Sequence, residues 1–222
     1  GRYNEATQQL ERVIELTPEN HRAYASLGGV YHLMGQFDAA EDMLTKSVST
    51  KPTATGFSNL GTFYFFQGKF AEAVPMMEKA VELDPNDYLY WGNLAVSYRW
   101  TQGLTERAPD AYRRAIDLAL KELEVNAKNG GVKGSLATYW AKLGDKENAL
   151  REIGQALELA SENANVVYDS LLTFELVGER DRALTALEQT LEHGYSFEEM
   201  SREPELANLR KDPRYLELLN RR

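Results

Sequence analysis

The chain has 222 residues, of which 43% are hydrophobic and 27% charged, and this balance excludes an intrinsically disordered protein. Its net charge of −9, with no basic stripe along the sequence, argues against nucleic acid as the partner. The absence of cysteine excludes disulfides and thiol-based metal sites, and the absence of a run of about eighteen apolar residues excludes a membrane span.

The first predicted element is a helix over residues 1–17. Its apolar residues recur at intervals of three and four, which is the spacing of one helix face, and they are Tyr3, Ala6, Leu10 and Val13. The rest of the chain is built from a repeated helix pair, as the next paragraphs show. Residues 1–20 correspond to the second helix of such a pair and are predicted to be a half repeat. We therefore expect the chain to be a fragment of a longer protein, with an apolar face of this helix exposed.

A repeated pattern governs the chain from residue 21 onward. In each copy a large residue is followed three positions later by leucine, then by a small residue, and three positions after that by an aromatic residue. Four copies and a weaker fifth are Tyr24-x-x-Leu27-Gly28-x-x-Tyr31, Phe57-x-x-Leu60-Gly61-x-x-Tyr64, Trp91-x-x-Leu94-Ala95-x-x-Tyr98, Lys133-x-x-Leu136-Ala137-x-x-Trp140 and Val167-x-x-Ser170-Leu171-x-x-Phe174. Successive leucines lie 33, 34 and 42 residues apart, so the third copy is longer than the others.

A second set of markers keeps the same period and predicts where the helices turn. Four glycines can each adopt a positive φ and end a helix, and each is followed five residues later by an alanine that permits close packing. The glycines are Gly35, Gly68, Gly144 and Gly178, and the alanines are Ala40, Ala73, Ala149 and Ala183. Pro18, Pro52 and Pro85 end the second helices of the early copies, because proline cannot continue the hydrogen-bond ladder.

This arrangement resembles the tetratricopeptide repeat family, whose helix–turn–helix unit carries the pattern W-x-x-L-G-x-x-Y, then alanine, then proline. The resemblance covers nearly the whole chain. It implies an all-α fold, a right-handed α-solenoid forming one domain over residues 1–222. The implied repeats follow the half repeat and lie at 21–53, 54–87, 88–129, 130–163 and 164–195. In the third repeat, Asp110 to Val125 is predicted to be an unusually long second helix after a longer connection over Gln102–Pro109.

Residues 196–222 depart from the repeat and are predicted to form a C-terminal helical cap. Glu203-Pro204 and Asp212-Pro213 each place an acidic residue before a proline, which is typical of a helix start. The apolar faces of these helices are predicted at Leu206, Leu209, Tyr215, Leu216, Leu218 and Leu219. A solenoid needs its last apolar face covered, so we expect these helices to cap the array.

The segment from Gly194 to Arg214 is also similar to the C-terminal end of tetratricopeptide tails on bacterial multidomain signalling proteins. This second resemblance implies that the missing part of the natural protein lies N-terminal to the chain.

The family resemblance implies a binding surface, because the first helices of successive repeats line a concave groove in this family. The second, fifth, sixth, ninth, twelfth and thirteenth places of each repeat face that groove. From these places we predict contact residues for a protein or peptide partner: Arg22, Ser26, Ser58, Asn59, Thr62, Phe65, Asn93, Val96, Arg99, Trp100 and Thr138.

Two asparagines in this set share the sixth place of adjacent repeats. Asn59 and Asn93 stand where the family uses asparagine to hold the main chain of a peptide, and an amide can both donate and accept there. The alternative is that they bond neighbouring helices.

A second feature of this set is a group of aromatic and cationic residues: Phe65, Phe66, Arg99 and Trp100. Such residues typically anchor a binding partner. The alternative is that Trp100 and at least one of the two phenylalanines belong to the hydrophobic core.

The chaperone-type carboxylate clamp of this family needs lysine at the fifth place and asparagine at the ninth place of a repeat. The fifth and ninth places of the first three repeats hold Ala25, Ser58, Gly92 and Gly29, Thr62, Val96. The resemblance therefore implies no binding of chaperone C-terminal tails, and a wide, shallow and nearly neutral groove instead.

The residues do not predict an enzyme. His21, His32 and His193 are too dispersed for a metal site or a catalytic triad, and no phosphate-binding G-x-x-x-x-G-K-[ST] string is present. We predict a non-catalytic interaction scaffold with no cofactor, no metal and no membrane insertion. One alternative is a self-association or regulatory module of a larger signalling protein, in which case the chain forms a homo-oligomer. Another is a spacer between other domains. The compartment stays open between the cytoplasm, as the default, and the extracytoplasmic portion of a membrane-anchored protein.

Overall fold

The computed structural model describes residues 2–220, apart from the side chains of Glu198, Leu219 and Asn220. The predicted apolar contribution of Leu219 therefore lies outside the described residues. The contacts divide the chain into two compact units, unit 1 (Gly1–Ala108) and unit 2 (Pro109–Arg222).

Unit 1 alternates the first and second helices of successive repeats. Its elements are α1 (Arg2–Leu16), α2 (His21–Leu33), α3 (Phe37–Thr50), α4 (Ala54–Phe66), α5 (Phe70–Leu83), α6 (Tyr88–Trp100) and a 3-10 helix (Thr105–Arg107). The first helices α2, α4 and α6 start on the first residues of the repeats predicted at 21, 54 and 88. Helix α2 packs on α3, and α4 packs on α5.

Unit 2 continues the same alternation and ends in short helices. Its elements are α7 (Ala108–Val125), α8 (Gly130–Lys142), α9 (Lys146–Ala160), α10 (Ala164–Leu176), α11 (Arg180–Glu192), α12 (Phe197–Arg202), two 3-10 helices (Pro204–Ala207 and Leu209–Lys211) and α13 (Pro213–Asn220). Residues 2–220 contain no β-strand, which confirms the predicted all-α class of helical repeats. Nor is any helix in this range long and apolar enough to cross a membrane.

A polar side chain caps the start of nearly every first helix. Asn20 accepts a hydrogen bond from the amide of Ala23 at 3.1 Å, and Thr53 accepts one from Gly56 at 3.1 Å. Asp87, Asn129 and Asn163 cap α6, α8 and α10 in the same way. Each cap pairs an amide that lacks a partner within the helix and contributes roughly 1 kcal/mol. These caps fix where each first helix begins.

The turn inside each helix pair is made by a glycine. Gly35 and Gly68 both have a φ of +71°, a conformation that other residues adopt only at a cost. The amide of Gly35 donates to the carbonyl of His32 at 3.0 Å, which closes the end of α2. Gly144 and Gly178 repeat this geometry in unit 2, so the four predicted turns are confirmed.

Small residues let paired helices approach closely. A Cβ atom on Gly28 would stand 2.7 Å from Cγ of Leu44, and one on Gly61 would stand 2.9 Å from Cε of Met77. Ala40 and Ala73 are fully buried where the second helices pack back. The predicted role of these small residues as spacers between helices is confirmed.

The long helix of the third repeat, predicted from Asp110, begins two residues earlier, at Ala108, and ends at Val125 as predicted. Its buried face is formed by Ala111, Tyr112, Ala115, Ile116 and Ala119. The connection before it is partly ordered by the 3-10 helix at Thr105–Arg107.

The C-terminal segment, which we define as residues 196–220, packs on α10 and α11. Met200, Leu206 and Leu209 are fully buried in one core with Leu171 and Leu187. The segment has the predicted helix starts at Pro204 and Pro213 and a further helix, α12, that was not predicted. Leu216 differs from the prediction, because its side chain is exposed.

Candidate protein-binding groove

The first helices of unit 1 share one face, because side chains from α2, α4 and α6 meet there. The hydroxyl groups of Thr55 and Tyr90 lie 3.0 Å apart and link α4 to α6. The amide Nδ2 of Asn93 donates to Oγ of Ser58 at 3.3 Å, which is a second link between the same helices. This face is called the unit 1 groove below.

The two sixth-place asparagines are not equivalent. Asn93 is half-buried and its amide is engaged with Ser58. Asn59 is exposed, and within residues 2–220 it makes no hydrogen bond. The alternative role of bonding a neighbouring helix therefore describes Asn93, whereas the amide of Asn59 is open to a partner.

An aromatic seam runs along one edge of the groove, and we define it as His32, Phe66, Phe65, Phe70 and Trp100. Successive ring centroids lie 6.3, 5.5, 5.2 and 6.0 Å apart in that order. Phe65 and His32 are buried, each only 6% exposed, whereas the other three rings are partly exposed. The seam thus has a buried base and an accessible rim.

The floor of the groove is open and weakly charged. Ser26 and Gly29 on α2 are exposed, and nothing lies within 4 Å of a Cβ built on Gly29. Thr62 and Val96 are half-buried beside them. Of the two predicted cations, Arg22 is exposed on α2 and Arg99 is half-buried on α6.

In unit 2 the matching face is covered. Thr138 on α8 is 5% exposed, and its hydroxyl donates to the carbonyl of Gly134 at 3.2 Å. Lys142, Tyr168 and Leu172 occupy groove-facing places of α8 and α10 and are buried as well. The C-terminal segment covers them through contacts that include a hydrogen bond from Tyr168 to Glu203.

Three residues of the predicted contact set differ from the others in their burial. Ser58, Phe65 and Thr138 are buried, so their side chains support the surface instead of lining it. The prediction followed the repeat register, which orients a residue but does not include what packs over it. It also omitted Phe70, because that residue lies on the second helix α5, outside the groove register.

Family models decide what these repeats are. One tetratricopeptide repeat model matches residues 1–55 and a second matches residues 59–120, which together make up more than half of the chain. The chain belongs to the tetratricopeptide repeat family. Proteins of this family bind proteins or peptides and are generally non-catalytic scaffolds. No curated protein matches the chain.

Solved tetratricopeptide structures share the fold. The thermophilic protein TTC0263 of Thermus thermophilus is 18% identical with a TM-score of 0.58, over 84% of this chain and 98% of that one. PilF of Pseudomonas aeruginosa is 20% identical with a TM-score of 0.53, over 90% and 89%. The APC/C Cut9–Hcn1 heterotetramer is 19% identical with a TM-score of 0.60; the match covers 90% of this chain but only 38% of that chain. At these identities the likeness concerns the fold alone.

Proposed function

We propose that the chain is a non-catalytic scaffold that binds an extended segment of a protein partner in the unit 1 groove. The observation that carries the proposal is the exposed amide of Asn59, with no hydrogen bond within residues 2–220, two helical turns before the partly exposed ring of Phe66 on α4. Membership of a family that binds proteins or peptides supports it in general terms.

The chemistry of the groove suits an extended peptide. A peptide backbone presents one donor and one acceptor per residue, and the Asn59 amide can pair with both. The rim of the aromatic seam offers Phe66, Phe70 and Trp100 to an apolar or aromatic side chain of the partner. Aromatic residues at such a place dominate binding energy because they bury a large area at a small entropic cost.

A peptide library tests this proposal and needs no named partner. Peptides displayed on phage are selected against the intact chain, and the Kd of the best peptide is measured by fluorescence polarisation. We expect Asn59→Ala/Phe66→Ala to weaken binding at least about tenfold, which corresponds to about 1.4 kcal/mol. If the double variant folds poorly, the Kd of Asn59→Ala alone is compared with that of wild type. Asn59 is exposed, so this substitution should not disturb the fold.

The matched control lies on α5, outside the groove. Lys79 and Glu82 are exposed, and among the described residues they pair with each other alone, at 2.7 Å, so Lys79→Ala/Glu82→Ala should leave the Kd unchanged. If the groove and control variants bind equally well, the partner binds elsewhere and the proposal fails.

A second candidate function is self-association through α1. No residue of α1 is buried, and Tyr3 and Leu16 are 50% and 66% exposed. A second copy could cover this face and make the chain a regulatory or assembly module. Light scattering at several concentrations should then show a dimer that Leu16→Lys abolishes, whereas a monomer throughout would exclude this candidate.

The place of the chain in a larger protein is also a proposal. The pattern from Gly194-Tyr195 to Asp212-Pro213 supports a C-terminal region of a bacterial multidomain signalling protein. The sequence of the gene upstream of Gly1 tests this, because it should encode a kinase, cyclase or DNA-binding module. A gene without such a module would contradict it.

A further inference from the structure

A buried polar network joins the C-terminal segment to α8 and α10. The ammonium of Lys142 lies 3.4 Å from a carboxylate oxygen of Glu205, with the two side chains 3% and 6% exposed. The hydroxyl of Tyr168 donates to Oε2 of Glu203 at 3.1 Å, and Glu203 is 5% exposed. These contacts hold the segment over groove-facing places of unit 2.

Tyr195, just before the segment, extends the network. Its ring stacks on that of Tyr168 at 4.1 Å with an interplanar angle of 11°. Its hydroxyl is hydrogen-bonded to Glu199. The contact surface between α10 and the C-terminal segment is therefore lined by two tyrosines and several carboxyl groups.

The network places several acids around one buried ammonium group. Lys142 acts on Asp169 and Glu203 and pairs with Glu205, and the carboxyl group of Glu199 is hydrogen-bonded to Tyr195. Like charges away from water repel strongly and favour the protonated form of some carboxyls. Protons must therefore be retained for the network to stay packed.

Each titrating group faces identifiable neighbours. Asp169 faces Lys142 and Thr138 of α8, as well as Tyr195. Glu203 faces Tyr168, Lys142 and Glu205. Glu199 faces the hydroxyl groups of the two tyrosines. Lys142 is thus the cation that acts on Asp169 and Glu203, and it is already paired with Glu205.

A further cation, Arg210, contacts the network through the backbone. Its guanidinium donates to the main-chain carbonyl of Glu203 at 2.8 Å. This bond fixes the chain at Glu203 and leaves Lys142 as the cation that lowers the pKa of the Glu203 carboxyl.

We propose that three acids, Asp169, Glu199 and Glu203, packed beside the Lys142–Glu205 ion pair, form a proton-dependent latch that holds the C-terminal segment over unit 2 when these acids are protonated and loosens it when they are ionised. Loosening releases the retained protons to water and uncovers Lys142, Tyr168 and Leu172. These residues become available for contact with a partner, a surface separate from the unit 1 groove.

The direction of the pH dependence follows from the burial of the acids. Burial, partly offset by Lys142, raises the pKa of Asp169 from its ordinary 3.8 to about 7, and burial raises the pKa values of Glu199 and Glu203 as well. The closed state therefore holds protons more tightly than the open state, and it weakens as the pH rises through this range.

Apolar contacts oppose this effect and keep the opening local. Met200 and Leu206 lie within the elements that loosen and oppose the opening, whereas Leu209 and Tyr215 lie after them and hold the rest of the segment in the core. We expect α12 and the 3-10 helix at Pro204–Ala207 to loosen first, because they carry Glu199 and Glu205 and flank Glu203.

Hydrogen–deuterium exchange of the intact chain between pH 5.5 and 8.5 tests the latch. Protection factors, corrected for the intrinsic pH dependence of exchange, should fall at least about tenfold over residues 197–207 and stay constant in α4. Asp169→Asn/Glu203→Gln should abolish the fall, and Asp169→Asn alone should reduce it. Asp169→Asn alone keeps the Tyr168–Glu203 hydrogen bond. If circular dichroism shows that the double variant is unfolded, the protection factors of Asp169→Asn decide whether the latch exists.

The matched control is Asp117→Asn, which changes an exposed acid on α7 and should behave as wild type. A wild type whose protection does not change with pH overturns the latch. A decline of equal size in wild type and Asp169→Asn overturns it as well, since the titrating group would then lie elsewhere.

Discussion

The hydroxyl of Tyr98 donates a 2.7 Å hydrogen bond to Oε1 of Glu78, and it thereby joins the first helix of one repeat to the second helix of the repeat before it. The same bond recurs in unit 1 from Tyr64 to Glu41 at 3.0 Å and from Tyr31 to Glu11 at 3.1 Å. Burial and the neighbouring carboxylate raise the pKa of Tyr64 to about 12, so its hydroxyl keeps its proton at neutral pH. The last aromatic residue of the repeat motif thus has a polar as well as a packing role.

Removal of the Tyr98 hydroxyl measures the strength of this link. We expect Tyr98→Phe to lower the free energy of unfolding by about 1 kcal/mol, because a hydrogen bond to a carboxylate is lost while the ring remains. The measurement is urea denaturation followed by circular dichroism. Tyr3→Phe is the control, since Tyr3 is half exposed, and it should change stability little. Equal effects of the two variants would refute a structural role for the Tyr98 bond.

Two adjacent glycines in α2 should respond in opposite ways to alanine. A methyl group on Gly28 would collide with Leu44, so Gly28→Ala should cost about 1–3 kcal/mol of unfolding free energy. A methyl group on Gly29 meets nothing, so Gly29→Ala should stabilise the helix by up to about 1 kcal/mol. Thermal unfolding of both variants checks this pair, and a Gly28→Ala protein as stable as wild type would contradict the close packing of α2 on α3.

The two groove asparagines should also separate in stability measurements. Asn93→Ala removes the partner of the buried Ser58 hydroxyl and should cost about 0.5–1.5 kcal/mol. Asn59→Ala removes an exposed amide with no hydrogen bond inside residues 2–220, so its unfolding free energy should match that of wild type. A large loss of stability in Asn59→Ala would mean that this amide serves the fold and not a partner.

The raised pKa of Asp169 predicts a pH-dependent difference between wild type and Asp169→Asn. The folded state binds this proton more tightly than the unfolded state, so the contribution of Asp169 is fully present below about pH 4 and declines towards pH 7. Wild type should lose up to about 4 kcal/mol across this range relative to the variant, and less where water screens the site. Urea denaturation at pH 5 and pH 8 captures up to about 2–3 kcal/mol of this difference, and parallel losses in both proteins would contradict the assignment.

Much of the fold could be predicted because it depends on contacts inside one repeat. The turn glycines join the two helices of one repeat, and the small residues Gly28 and Gly61 face Leu44 and Met77 in the second helix of the same repeat. Helix starts could be predicted to the residue where a cap such as Asn20 or Thr53 precedes a repeat.

The burial of individual groove residues could not be predicted, because it depends on packing between repeats and on the C-terminal segment. Ser58 is covered where Asn93 of the next repeat bonds to it, and Thr138 is buried against α10, where its hydroxyl lies 3.4 Å from that of Thr173.

The position of Pro75 could not be predicted from the sequence either. Pro75 lies inside α5, although proline ordinarily ends a helix. Pro75 and Ala71, whose carbonyl loses a donor, are both exposed, so water can replace the lost bond.

The most direct test of the account is a backbone amide NMR titration of the isotope-labelled chain with the best peptide from the library, at pH 6. Binding in the unit 1 groove should shift amides of α2, α4 and α6, centred on Ser26, Asn59 and Val96, and leave α3, α5 and unit 2 unaffected. Shifts confined to α3 and α5, to α1, or to unit 2 would contradict binding in the unit 1 groove.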